Sequence, residues 1–128
     1  MSATGARVMV VDDSAMSRRM MRRILEDGGH SVTEEADGRT AIERYALERP
    51  EVVMLDLVMT GMYGLDVLME LRRADPDARV IVASADIQSA TRDEVMAAGA
   101  CGFVGKPFMA QAVLAAVASA RAPQGRPS

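Results

Sequence analysis

Five short apolar runs recur along this chain, each followed by a stretch of helical character, and that alternation restricts the fold more than any other feature. The runs are ARVMVV (6–11), SVTEEA (31–36), VVML (52–55), RVIVA (79–83) and GFVG (102–105). Ser14 is a candidate N-cap for a helix reaching about Glu26, which Asp27-Gly28-Gly29 stops. Further helices are predicted over Gly38–Glu48, with Pro50 opposing extension, and from Gly64 to Asp75-Pro76. Two more are predicted over Gln88–Ala98, ending at Gly99, and over Met109–Arg121. Strict strand–helix alternation implies an α/β domain with a parallel sheet and helices on both faces. The first, third and fourth runs are continuously apolar and fit central strands, whereas the second alternates with charge and fits an edge.

Composition excludes several classes of function. A length of 128 residues suits one core, with residues 1–121 as one domain and 122–128 as a disordered tail. Aromatic residues make up only 3% of the chain, so aliphatic and Met side chains must fill the interior. A formal charge of −3 argues against a nucleic-acid partner. No apolar run approaches a membrane span, and the N-terminus reads without a signal peptide. A single cysteine, Cys101, fits a reducing cytoplasm and a small buried hydrophobe.

Ligands of open α/β sheets sit beyond the carboxyl ends of the strands. Asp12 and Asp13 follow the first strand, Asp56 the third, Ser84 the fourth, and Lys106 then Pro107 the fifth. Each alone has an ordinary explanation: aspartates and serines cap turns, and a lysine is usually solvated. The set is more specific than its members, because all converge on one rim. Lys106 is also the only lysine in the chain, every other basic residue being arginine. A compact point charge on a flexible stem differs from a planar fork, so lysine here reads as a geometric requirement. Three carboxylates repel one another and call for a cation, and oxygen ligands favour Mg²⁺, Ca²⁺ or Mn²⁺ over zinc. A carboxylate can then act as a nucleophile toward phosphorus, giving an acyl phosphate, with Lys106 and the Ser84 hydroxyl balancing the phosphoryl oxygens.

The segments VMVVDDS (8–14), VVMLDLVMTGMYGLDVL (52–68), VIVASAD (80–86) and AAGACGFVGKPF (97–108) resemble the receiver domains of two-component response regulators. The likeness is greatest to the small stand-alone chemotaxis (CheY-like) type, and it covers about residues 6–121. The resemblance implies a five-stranded, doubly wound parallel sheet of order 2-1-3-4-5 with five helices, the flavodoxin-like arrangement. It implies that Asp56 is phosphorylated, that Asp13 ligates Mg²⁺ directly and Asp12 through water, and that the backbone carbonyl of Val58 is a further ligand, Mn²⁺ being an alternative metal. It implies that Ser84 and Lys106 bind the phosphoryl group, that Ser84 and Phe103 form the switch, and that the Lys106–Pro107 bond is cis. The implied donor is a histidine kinase, a histidine phosphotransfer protein or a small phosphodonor. The implied output partner binds helix 4, strand 5 and helix 5, on a monomer or weak dimer.

Several positions depart from the family pattern. Thr60 stands where proline is usual, and Tyr63 where an acidic or amide residue is common. Phe103 has no hydroxyl, and Val58 cannot orient an attacking water through its side chain, whereas Asp86 could. Arg18, Arg19, Arg22 and Arg23 on the first helix read either as a solvated basic face or as a dock for an acidic partner. Met16, Met20 and Met21 lie among them, and some must belong to the core stripe with Ile24 and Leu25. His30, the only histidine, reads as a plain loop residue.

The expected role is a phospho-acceptor switch rather than an enzyme, in chemotaxis, as a relay intermediate or as a phosphate sink. Two other classes share the architecture. An aspartate-nucleophile phosphatase would need an acidic residue where Val58 stands. A nucleotide or flavin binder would want a Gly- or Ser/Thr-rich cradle after the first strand, where Asp12 and Asp13 repel phosphate.

Overall fold

The computed structural model describes residues 5–59, 61–85 and 88–122. Thr60, Asp86 and the tail from residue 123 onward, for which expectations were stated above, lie outside the described residues. The elements run β1 (Arg7–Val11), α1 (Ala15–Asp27), β2 (Ser31–Glu35), α2 (Gly38–Glu48), β3 (Val52–Asp56) and α3 (Gly64–Ala74). They continue with β4 (Val80–Ser84), α4 (Ser89–Ala97), β5 (Gly102–Gly105) and α5 (Ala110–Arg121). All strand pairs are parallel and the order is β2-β1-β3-β4-β5.

Alternation along the strands explains why both faces must be covered. Met9, Val11, Val53, Leu55, Val80 and Val82 face a core closed by Ala41 and Tyr45 of α2, Val67, Leu68 and Leu71 of α3, and Val95 of α4. Val8, Val10, Val52, Met54, Ile81 and Val104 face the opposite core, closed by Met21 and Leu25 of α1 and by Val113, Val117 and Ala120 of α5. Met21 therefore supplies the core stripe of α1, while Met16 and Met20 are exposed. β2 is an edge strand, as its charge pattern predicts.

Local chemistry sets the element ends. The Ser14 hydroxyl accepts from the Ser17 N–H at 3.2 Å, and Asp37 accepts from the Thr40 N–H at 2.9 Å. The Thr40 N–H and hydroxyl, both donating to Asp37, hold its carboxyl below its ordinary pKa. β3 and β4 each reach one residue beyond their apolar runs. The ladder continues through Asp56 opposite Ala83 and Ser84 opposite Gly105, so both polar residues are the last of their strands rather than loop residues. The reason is that hydrogen bonding along a parallel ladder does not depend on side-chain polarity.

Tyr45 ties the N-terminal end of the sheet together. Its hydroxyl donates to Asp75 at 2.7 Å, and Arg49 reaches the same carboxylate at 2.5 Å. Burial and that carboxylate push the phenol up to about 12.

His30 is more than a loop residue. Its Nδ1 accepts the Ala6 N–H at 2.9 Å, which requires an unprotonated nitrogen. Burial lowers its pKa from 6.5, Arg121 adds to that, and Glu51 partly opposes it. A histidine depressed on folding takes up its proton more readily in the unfolded chain. Stability is therefore expected to be complete above pH 6.5 and to decline as pH falls below that value. Urea unfolding across this range should show the decline, and His30→Gln, which keeps an acceptor without titrating, should flatten it.

Candidate functional site

Four strand ends build the site. Asp12 follows β1, Asp56 ends β3, Ser84 ends β4, and Lys106 follows β5. With Asp13, Ser14, Val58 and Ala85 they line a depression of about 390 Å³. Asp12, Asp56 and Ser84 are the buried polar residues among those described, at 3%, 6% and 2% exposure. Asp13 is exposed and Lys106 half-buried. Buried acids are rare without partners, so their concentration at one rim marks a place built for chemistry.

Each group is held from a different direction. One Asp12 carboxylate oxygen accepts the Ser14 N–H at 2.9 Å, its N–H donates to Glu35 at 3.1 Å, and its carbonyl accepts from Arg18 at 2.6 Å. The Lys106 ammonium stands 3.4 Å from Asp12 and 3.2 Å from Asp56. Its backbone N–H donates to the Ser84 carbonyl at 3.0 Å, so the lysine is an extension of the β4–β5 ladder. The Phe108 ring lies 5.6 Å from the same ammonium. The Lys106–Pro107 peptide bond is cis.

The electrostatics follow from burial. Desolvation raises the Asp56 pKa above 3.8, and the neighbouring Asp12 charge adds to the rise. Lys106 and the backbone N–H of Val58 oppose it. Oxygens of Asp12, Asp13 and Asp56 lie within 4.8 Å of one another. One ammonium cannot neutralise three carboxylates. An all-oxygen donor set of this kind suits a hard divalent cation, so the residues present fit a metal.

Residues 8–118 match the response regulator receiver domain family. This chain belongs to that family. The receiver is 40% identical to the chemotaxis protein CheY of Thermotoga maritima over 114 residues, which are 88% of this chain and 95% of that protein. Its identity to the CheY of Bacillus subtilis is 38% over 112 residues, 87% of this chain and 93% of that one. Among solved structures it resembles CheY4 of Vibrio cholerae with a TM-score of 0.84 at 28% identity, covering 90% of this receiver and 98% of that chain. A LuxR-family response regulator from Aurantimonas gives a TM-score of 0.86 at 30% identity, with 91% and 84% covered.

Reading residues one at a time missed several parts of this receiver's site. Arg18 grips the backbone of Asp12, and Phe108 lies beside the lysine. Arg18 and Arg22 are both committed to Glu34, at 3.1 and 2.5 Å. The basic face of α1 is therefore half spent inside the fold, leaving Arg19 and Arg23 exposed. The alternating charge of SVTEEA was the available signal, because an edge-strand glutamate seeks a cation on the neighbouring helix. Val58 is 66% exposed beside Asp56, as an apolar rim rather than a core residue. Phe103 is half-buried on β5, on the sheet face that also carries Ser84.

Proposed function

We propose that Asp56 accepts a phosphoryl group from a histidine kinase, a histidine phosphotransfer protein or a small phosphodonor, and that the resulting charge switches partner binding. The observation that carries this is the Lys106 ammonium set between two buried carboxylates, 3.2 Å from Asp56 and 3.4 Å from Asp12. An Asp56 carboxylate oxygen attacks phosphorus, the donor's N–P or O–P bond breaks, and the leaving group keeps the electron pair. Lys106 turns from its carboxylate partners toward the incoming oxygens, and Ser84 donates its hydroxyl to one of them. Asp12, Asp13, Asp56 and the Val58 carbonyl would hold Mg²⁺, or Mn²⁺ in its place. The cation supplies the positive charge that lets an anionic phosphoryl group approach an anionic site.

Movement of Ser84 opens space into which Phe103 turns, reshaping the face made by α4, β5 and α5. The light burial of α4 supports an output role: among the described residues, Val95 is the one it buries. The reading is a cytoplasmic, chemotaxis-type switch acting as a monomer or weak dimer, with relay or phosphate-sink roles as alternatives. It acts only on its own acyl phosphate. A phosphatase acting on foreign substrates is disfavoured because Val58 offers no acid or base beside the acceptor.

Acetyl phosphate with Mg²⁺ is expected to add one phosphoryl mass, labile to hydroxylamine, and EDTA should abolish the addition. No addition at saturating donor and metal, on folded protein, sinks the proposal.

A further inference from the structure

Arg92 stands on the exposed side of α4, and its guanidinium carbon lies 5.3 Å from the centre of the Phe103 ring. The contact joins α4, whose buried residue among those described is Val95, to the edge strand of the sheet. Phe103 is half-buried, packed on the core beneath α4 and sharing a sheet face with Ser84 two positions along. A guanidinium on an exposed helical residue meets this ring only while the ring stays near the surface. A ring turned inward toward Ser84 leaves the cation without its π-face.

We propose that Arg92 is a positioning residue that latches Phe103 in its outward, resting place and so sets how readily the domain switches; this rests on the acceptor reading above. The ring has no hydroxyl, so the cation–π contact holds it from its face where a tyrosine could be held through its oxygen. Ligands that favour the inward state bind with an affinity scaled by the fraction of molecules already competent. Removing an exposed cation–π contact should raise that fraction about two- to fivefold when the outward state dominates. Simple electrostatics predicts the reverse, because losing a positive charge should weaken binding of an anion.

The test is titration of the full chain with beryllofluoride in saturating Mg²⁺, for wild type, Arg92→Gln and Arg92→Lys. Arg92→Gln keeps much of the stem and loses the cation, and its apparent Kd should fall about two- to fivefold. Arg92→Lys keeps a cation over the ring and should lie nearer wild type. The chain has two phenylalanines, so 4-fluorophenylalanine gives two fluorine signals, which Phe108→Leu assigns. In ligand-free Arg92→Gln the Phe103 signal should move toward its beryllofluoride-bound position. In a Phe103→Leu background the Arg92→Gln effect on Kd should vanish. An unchanged or raised Kd, an unmoved signal, or an effect that survives Phe103→Leu overturns the latch. Failure of wild type to bind beryllofluoride overturns the acceptor reading itself, so the two failures are distinguishable.

Discussion

Asp56→Asn is expected to take no phosphoryl label from acetyl phosphate and Mg²⁺, while folding more stably than the parent in metal-free buffer. The two effects share a cause. The wild-type carboxylate is 6% exposed beside the charge of Asp12, and its pKa is raised by burial first and by Asp12 second. A carboxyl raised on folding weakens the fold at neutral pH. It returns that stability as pH falls through its folded value toward 3.8. Asparagine removes the charge, keeps the shape and can donate to Asp12, for a gain on the order of 1 kcal/mol, the size of many single-site effects. Denaturant unfolding in EDTA at neutral pH measures the gain, and its difference from wild type should shrink in acid. Label on the mutant equal to wild type would place the acceptor elsewhere. A mutant less stable than wild type would show that Lys106 needs Asp56 more than Asp12 repels it.

The second large effect is expected away from the charges, at Gly64. Glycine in the first turn of a helix ordinarily invites replacement, since alanine there gains about 0.5–1 kcal/mol from helix propensity. Here the sign should reverse. A Cβ on Gly64 would stand 2.5 Å from the Asp56 carbonyl and 2.6 Å from the Leu57 Cα, and both are backbone atoms that cannot step aside. The Gly64 N–H also donates to the Leu57 carbonyl at 2.8 Å, locking the start of α3 against the end of β3. Gly64→Ala should lose about 2–3 kcal/mol by overpacking. It should also slow labelling, because relief of the clash displaces the strand end that carries Asp56. Urea midpoints and the initial rate of acetyl phosphate labelling test the two parts. A neutral or stabilising Gly64→Ala would mean that α3 slides away without cost.

Much of the architecture was legible because apolar runs and helix stops are local signals. VVML and its neighbours marked the central strands, charge in SVTEEA marked an edge, and Gly28, Pro50 and Gly99 marked helix ends. The rim residues were legible as a set because strand ends in such a sheet all open on one side. What stayed hidden depends on contacts between distant segments. Glu34 claims Arg18 and Arg22 across an edge strand, so a basic cluster that looked free is partly internal. Met21 is buried while Met16 and Met20 are not, a distinction of helix phase that three similar side chains cannot reveal. His30 serves the Ala6 backbone, a partner 24 residues away that no motif announces. Arg92 over Phe103 is likewise set by how α4 lies on β5.

The lysine that faces Asp12 lies 94 residues from it in the chain. Between them come β2, β3, β4 and β5, and β5, which delivers the lysine, is joined to the sheet through β4 alone. In a growing chain Asp12, Asp13 and Asp56 are all made before the lysine. The lysine therefore reaches Asp12 and Asp56 only once the last strand is in place. Under the proposed acceptor role, a phosphorylated molecule is one whose fifth strand is in place, and the signal it carries certifies the integrity of its carrier.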